Sequence, residues 1–146
     1  MKRDINMDKA VEINEYMADA EECLQSAVYT ANGGFNKTSL NRSYYCIYNA
    51  MCACLLCVDF PDHKHHSTVI AKFRELLIKP GYLNKELSAI IDDLSENRNN
   101  SDYTKGFRAS KSEAKECIDK AKLFYEAVKK YIDGWLEGSF DYGDKI

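Results

Sequence analysis

The sequence is poor in the residues that interrupt helices. Proline accounts for 2 of its 146 residues and glycine for 7. No stretch alternates apolar and polar residues as a half-buried strand would. Sheet-rich folds need frequent turn residues, so these absences disfavour them and favour helix. At this length we expect one domain around a single hydrophobic core.

Two further absences bear on where the protein works. No apolar run approaches the roughly 18 residues of a membrane span. The opening residues, MKRDINMDKAVEINEY, carry charges where a signal peptide has its apolar centre. We therefore expect a cytoplasmic protein without membrane contact, and we expect its 6 cysteines to be reduced.

The chain also lacks an excess of basic charge. Its 20 lysines and arginines stand against 23 aspartates and glutamates, which gives a net charge of −3. A protein that coats nucleic acid is usually basic overall. Any contact with nucleic acid must therefore be confined to a local patch.

Apolar residues recur at helical spacing in five segments. The predicted helices cover residues 4–31, a segment from an N-cap at Thr38 or Ser39 to the turn before Pro61, residues 66–77, residues 84–94 and residues 110–135. The predicted class is all-α, an up-and-down bundle of four long helices plus one short helix. We expect a single domain over residues 1–136 and a flexible C-terminal tail over residues 137–146.

Two details of these helices can be checked directly. The fifth helix is predicted to start with a capping box, in which Ser110 and Glu113 bond each other's backbone. On the first helix, one stripe of mostly apolar residues is predicted to face the core. Its members are Met7, Val11, Asn14, Met17, Ala20 or Glu21, Leu24 and Val28.

Cys54 and Cys57 form a CxxC pair that precedes three histidines in the next loop. Two thiolates and two imidazoles could complete a tetrahedral zinc site. The pair lies inside a strongly apolar helix, however, rather than in the turn that usually presents zinc ligands. Free cysteine there behaves as a small hydrophobe, so core packing is favoured and we expect no metal or other cofactor.

The loop before the third helix reads HKHH, residues 63–66. It is either a solvated turn or a positive, titratable patch placed near a phosphate. The chain has no glycine-rich phosphate loop, no GxSxG and no convincing carboxylate pair.

The fourth helix ends in a polar stretch, SENRNNSDY, residues 95–103. Spacing places Arg98 on the apolar face of that helix. If the helix continues, Asp102 shares that face and can pair with Arg98. An exposed pair of this kind is worth under about 1 kcal/mol. The alternative is that the guanidinium grips an anion in a cleft or at an interface, and the residues alone favour neither.

Three short motifs resemble the HEPN domain, in particular a bacterial branch of it. They are NRSYY at residues 41–45, KHH at residues 64–66, and the R-x-x-x-D-Y pattern at residues 98–103. The resemblance covers about residues 4–132. It implies a helical bundle that forms a homodimer, with two copies of the fourth-helix motif meeting across a two-fold axis. It also implies a metal-independent endoribonuclease that acts as a toxin, beside a minimal nucleotidyltransferase that acts as antitoxin.

The resemblance also assigns candidate residues. The family's catalytic motif is an arginine followed after four to six residues by a histidine, and Arg98 matches the arginine. No histidine follows, because positions 103 and 104 are tyrosine and threonine. Asp102 or Tyr103 could substitute, or His65 or His66 could reach in from the neighbouring loop. The candidate catalytic set is Arg98, Asp102 and Tyr103. The candidate RNA- or nucleotide-binding set is Arg42, Lys64, His65, His66 and Asn99.

Three functions follow as expectations. The first is a ribonuclease toxin of a toxin–antitoxin pair. The second, favoured by the missing histidine, is a non-catalytic HEPN module that binds a nucleotidyltransferase or a nucleotide. The third is a purely structural helical adaptor. In related toxins the partner can modify a tyrosine close to the position of Tyr103, which makes Tyr103 a candidate for the same role.

Overall fold

The structure, a computed structural model, describes residues 7–61 and 65–138. The helices are α1 (Met7–Asn32), α2 (Asn36–Cys57), α3 (His66–Phe73), α4 (Glu86–Tyr103) and α5 (Lys111–Leu136). A single π-helical turn, Arg74–Ile78, continues α3. The predicted class is confirmed, since the described chain is an all-α bundle of four long helices and one short one. The predicted tail falls mainly on residues 139–146, which lie outside the described residues.

Helix α2 lies at the centre of the bundle. It packs against α1, α3, α4 and α5, and every residue from Ala50 to Cys57 is buried. Small side chains in that stretch, alanine and cysteine, let the neighbouring helices approach closely. The side chains at the N-terminal end of α2 are therefore held on a rigid, fully packed support.

Cys54 and Cys57 belong to this packed stretch, which confirms the prediction that they are core residues. Burial raises the pKa of Cys54 well above its ordinary value, and the neighbouring Cys57 raises it further. Burial likewise raises the pKa of Cys52 to about 12. These thiols therefore stay protonated and apolar at neutral pH.

The start of α2 differs from the prediction. Helix α2 begins at Asn36, and neither Thr38 nor Ser39 is its N-cap. Ser39 is fully buried, and its hydroxyl donates to the carbonyl oxygen of Ala27 in α1 at 2.8 Å. The turn between α1 and α2 is short, and Gly34 supplies its positive φ of 84°. The serine consequently bonds the adjacent helix instead of its own backbone.

The face that α1 buries also differs from the prediction. Met7, Val11 and Val28 are exposed, while Met17 and Ala20 are buried as predicted, Ala20 being one of two alternatives for its position. The residues that face the core are Ile13, Met17, Ala20, Cys23 and Ala27. Small residues form most of this stripe because α1 packs closely on α2. A pattern search that weights large apolar residues therefore recovers only part of the buried face.

Helix α4 does not end near residue 94 but continues through the polar stretch to Tyr103. Ser101 is buried there, and its hydroxyl donates to the carbonyl oxygen of Lys37 in α2 at 3.2 Å. Helix α5 begins with the predicted capping box. Ser110 Oγ accepts from the Glu113 amide and Glu113 Oε1 accepts from the Ser110 amide, each at 3.0 Å. None of the helices in the described ranges is long and apolar enough to cross a membrane.

Candidate functional site

Arg98 and Asp102 lie on the same face of α4 because the helix continues past both of them. Arg98 Nε is 3.2 Å from Asp102 Oδ2, in an ion pair that is not aligned as a hydrogen bond. The side chains are 15% and 27% exposed, so the pair is shielded without being sealed from solvent. The pairing that the spacing suggests is therefore present, and it opens on the surface.

Three tyrosine rings surround the guanidinium of Arg98. Its central carbon lies 5.1 Å from the ring centre of Tyr44, 5.5 Å from Tyr45 and 5.4 Å from Tyr103. Aromatic faces attract a cation at these distances, most strongly where water is partly excluded. Arg98 Nη2 also donates to the Tyr45 hydroxyl at 2.9 Å, and Nη1 donates to Asn99 Oδ1 at 3.0 Å. The charge is thus fixed in position by α2 as well as by its own helix.

Asn41 links α2 to the acid of this pair. Its Nδ2 donates to Asp102 Oδ2 at 3.0 Å. Its Oδ1 accepts from Arg42 Nη2 at 2.7 Å and Nε at 3.0 Å. The guanidinium of Arg42 also lies 5.2 Å from the ring centre of Tyr45. Arg42, Asn41, Asp102 and Arg98 therefore form one continuous polar chain along the α2–α4 contact.

His66, the first residue of α3, reaches the same tyrosines from the other side. Its Nδ1 and the Tyr44 hydroxyl are hydrogen-bonded at 3.0 Å. Its ring stacks on Tyr48 with centres 4.0 Å apart and lies 5.6 Å from Tyr45. Burial lowers the pKa of His66, and the positive charge of Arg98 lowers it further. The imidazole is therefore neutral near pH 7.

Tyr44 joins the two halves of the cluster. It is almost fully buried. Burial raises the pKa of Tyr44 to about 12, although the charge of Arg98 acts in the opposite direction. Its hydroxyl therefore stays protonated while it holds His66. We call this cluster the Arg98 centre. Its members are Tyr44, Tyr45, His66, Arg98 and Asp102. It places a fixed cation and a neutral imidazole on one aromatic support, a combination suited to a phosphate ester.

A family model for the HEPN domain matches residues 13–131. The chain belongs to the HEPN domain family. The predicted resemblance is thereby confirmed, and α4 of this HEPN domain carries the arginine that the resemblance singled out.

Three relatives match most of this chain. A Thermotoga maritima protein named "UPF0332 protein" is 32% identical over 114 residues, which span 78% of this chain and 86% of the relative. Two Methanocaldococcus jannaschii proteins, each named "Putative toxin", are 28% and 29% identical and cover 83% and 90% of this chain. The matches span 82% and 97% of those two proteins.

The fold has a solved counterpart. The crystal structure of an archaeal HEPN homologue superposes with a TM-score of 0.65. It covers 82% of this chain and 97% of the homologue at 22% identity. At 22% identity, this similarity shows that the two proteins share a fold.

Only some of the predicted candidate residues lie close to Arg98 in this HEPN domain. Asn99 lies at the edge of the Arg98 centre through its bond to Arg98, and Tyr103 packs beside it while remaining 72% exposed. His65 is the exposed N-cap of α3, and none of its described contacts reaches the cluster. Lys64 lies outside the described residues. Of the two alternative histidines, the structure brings only His66 to Arg98.

The predicted site set lacks three members of the polar and aromatic network, Asn41, Tyr44 and Tyr45, although all three lie in the NRSYY motif. The two tyrosines have helical spacing with apolar neighbours, which is typical of a core stripe. A usable signal was the concentration of three tyrosines within residues 44–48, since buried tyrosine hydroxyls need polar partners. Within the described residues, no three His, Cys, Asp or Glu side chains are grouped as metal ligands would be.

Proposed function

We propose that this HEPN domain is the toxin of a two-gene toxin–antitoxin pair and that it cleaves RNA without a metal at the Arg98 centre. A minimal nucleotidyltransferase is the proposed antitoxin. Membership of the HEPN family supports the proposal. The two Methanocaldococcus jannaschii relatives, each named as a toxin, also support it.

One observation carries the proposal of RNA cleavage. A guanidinium and a neutral imidazole share the rings of Tyr44 and Tyr45, at a site that is open to solvent. Attack of a ribose 2′-hydroxyl on the adjacent phosphate needs a group that accepts the hydroxyl proton and a cation for the charge that develops on phosphorus-bound oxygen. Both requirements are met within one cluster.

In this mechanism His66 does what the histidine of the family motif does elsewhere. In the tautomer that acts as base, Nδ1–H donates to the Tyr44 hydroxyl oxygen, so Nε2 carries the lone pair. Nε2 has no partner among the described residues, and it takes the 2′-hydroxyl proton. The 2′-oxygen forms a bond to phosphorus, and the bond from phosphorus to the 5′-oxygen breaks. Water supplies a proton to the departing 5′-oxygen. The products are a 2′,3′-cyclic phosphate and a 5′-hydroxyl.

Arg98 stabilises the charge on the phosphoryl oxygens during this step. Before the substrate binds, Asp102 and Tyr45 position the guanidinium through the ion pair and the hydrogen bond already described. Tyr103 is proposed as the residue that the nucleotidyltransferase modifies, because it is exposed and its ring contacts Arg98. A bulky, charged group on Tyr103 would stand over the guanidinium and block the substrate.

The decisive experiment is expression in bacteria of the wild type and the Arg98→Ala variant. We expect the wild type to arrest growth and degrade RNA, and the variant to do neither, because loss of a comparable charge-stabilising group slows catalysis about 100- to 1,000-fold. Lys130→Ala, at an exposed position of α5, is the matched control and should behave as wild type. Equal growth and equal RNA integrity for the wild type and Arg98→Ala would refute the proposed ribonuclease.

The second candidate function is a non-catalytic HEPN module that binds a nucleotidyltransferase or a nucleotide. The observation that favours it is the engagement of Arg98 inside the chain, by Asn99, Tyr45 and Asp102. Together with the absence of a histidine after Arg98, this suits a structural arginine. The same growth experiment separates the two functions, since the non-catalytic module leaves growth unchanged whether Arg98 is present or not.

A further inference from the structure

Two segments of this acidic chain carry basic residues and no acidic ones. Residues 33–42 and 103–112 together contain five lysines and arginines and no acid, a charge of +5. Since the whole chain carries −3, the remaining residues carry −3 − 5 = −8. The basic members are Lys37, Arg42, Lys105, Arg108 and Lys111. A polyanion is therefore attracted to one region and repelled by the rest of the chain.

The two segments meet in space. Asn36 Nδ2 donates to the carbonyl oxygen of Ala109 at 3.3 Å, which joins the start of α2 to the α4–α5 connection. A cavity of about 270 Å³ opens there. Its lining includes two aromatic and two basic side chains, and we call these four the basic cleft. They are Phe35, Lys37, Phe107 and Arg108.

The aromatic members of the basic cleft are available to a ligand. Phe35 is 66% exposed, although a side chain of that size is normally buried. Phe107 is half-buried and presents its remaining surface to the cavity. Exposed aromatic rings beside lysine and arginine are the combination with which proteins hold unpaired bases and their phosphates.

The basic cleft adjoins the Arg98 centre. Lys37 lies four residues before Asn41 on α2, a rise of about 6 Å, and the Asn41 amide is bonded to Asp102. Lys37 is also tied to α4 through its carbonyl oxygen, which accepts from Ser101. A single nucleotide can span a distance of this size. A strand whose phosphate meets Arg98 would therefore place its next nucleotide in the cleft.

We propose that the basic cleft binds single-stranded RNA, with one base against Phe35 and Phe107 and the flanking phosphates on Lys37 and Arg108. The delivery of that strand to Arg98 rests on the proposed ribonuclease function, whereas binding itself does not. Unpaired RNA is the fitting ligand because the bases of a duplex are stacked on each other and cannot reach the two rings. A general polyanion would use the charges but not the rings.

Binding is measured by fluorescence anisotropy with a fluorescein-labelled oligouridine of about 12 nucleotides, in the full-length Arg98→Ala background so that the strand stays intact. The test variants are Phe35→Ala and the double variant Lys37→Gln, Arg108→Gln. Their matched controls are Tyr29→Ala, an exposed aromatic in the α1–α5 groove, and Lys130→Gln on α5. Thermal unfolding of each variant verifies that it is folded.

We expect Phe35→Ala to weaken binding about fivefold or more, in line with the loss of one stacked base. The double variant should lower the slope of log affinity against log salt by about 1.4, since each phosphate contact on a single strand contributes about 0.7. Both controls should bind as the background protein does. A duplex of the same length should bind more weakly.

Three outcomes overturn the cleft. They are unchanged affinity in the folded Phe35→Ala and double variants, equal loss in the controls, and competition by polyglutamate as effective as that by polyuridine. Any of these leaves the proposed ribonuclease standing if the wild type cleaves RNA. Conversely, binding with the expected dependence in a protein that cleaves nothing supports the cleft and refutes the ribonuclease.

Discussion

Tyr44 connects the two groups that the proposed reaction needs. The guanidinium of Arg98 lies over the Tyr44 ring, and the Tyr44 hydroxyl is hydrogen-bonded to Nδ1 of His66. Because Tyr44 is buried on the central helix, its ring and hydroxyl are fixed reference points for both groups. The lowered pKa of His66 is a direct result of this arrangement, since burial and the Arg98 charge both favour the neutral imidazole.

The rate of RNA cleavage should therefore depend on pH through His66. The neutral form accepts the proton, so the rate rises with pH through a midpoint below the ordinary histidine value of about 6.5 and then levels off. His66→Gln keeps a hydrogen-bonding side chain but cannot titrate. We expect it to lower the rate about 100- to 10,000-fold and to abolish the rising limb.

The neighbouring histidine provides the comparison for this pH–rate profile. His65→Gln should retain the rising limb, because His65 is exposed and has no described contact with Tyr44 or Arg98. If the cleavage rate of His66→Gln still rises with pH, or if that of His65→Gln no longer does, then a group other than His66 transfers the proton.

At the scale of the elements, α4 and α5 present the site through well-defined ends. The last turns of α4 are polar because they face α2 through hydrogen bonds, such as the one from Ser101 to Lys37, instead of through apolar packing. Helix α5 starts with the reciprocal bonds of Ser110 and Glu113. This cap fixes where the connection from α4 ends, and so it also fixes one wall of the basic cleft.

Removal of the cap should weaken the fold measurably. Ser110→Ala leaves the Glu113 amide without its acceptor, and we expect a loss of about 1 kcal/mol in the free energy of unfolding. For a chain of this size that corresponds to a fall of roughly 2–4 °C in the melting temperature. Ser112→Ala, at an exposed position in the same turn, should change the denaturation curve little. Equal effects of the two variants would contradict the role of the cap.

Local sequence determines some features of the helices, and contacts between helices determine the others. The five helices, the capping box and the burial of Cys54 and Cys57 could be predicted because spacing and local residue type determine them. The end of α4 could not, since its last turns are stabilised by α2 through contacts such as Ser101 to Lys37. The core face of α1 is predicted only in part for a related reason, namely that close approach to α2 selects small residues such as Cys23 and Ala27.

The same distinction applies to the candidate site. Arg98 and Asp102 were found because both lie on one helix, where spacing gives their relation. His66 remained one of several alternatives, because its approach to Tyr44 depends on how α3 packs against α2. The π-helical turn after α3 likewise has no local signal, although its Arg74 bonds Ser88 and Asp92 of α4.

At the scale of the whole molecule, the central position of α2 makes the bundle a rigid platform with one open, charged edge. The Arg98 centre and the basic cleft both lie along the contact of α2 with α4. A homodimer with a two-fold axis at this edge, which we propose, would place two Arg98 centres opposite each other and join their clefts into one groove.

A cysteine introduced at an exposed position tests this dimer cleanly, because all six native cysteines are buried. We expect the folded Tyr103→Cys variant to form a covalent dimer with a short bis-maleimide, since Tyr103 lies at the proposed axis. Light scattering should give twice the chain mass of 16.7 kDa for the wild type. Lys130→Cys should react with the reagent without crosslinking. A monomeric mass, or equal crosslinking of both variants, would contradict the dimer.

The ion pair of Arg98 with Asp102 means that the resting centre already contains its own counter-ion. The carboxylate is shared with the Asn41 amide, so it is held beside the guanidinium by two helices at once. A phosphate that approaches Arg98 must exchange with this carboxylate instead of filling an empty positive site. Small free anions, which bring one charge and no further contacts, are poor competitors in such an exchange. A strand that also engages neighbouring side chains gains from several contacts at once, so we expect the centre to select for a polymer over small free anions.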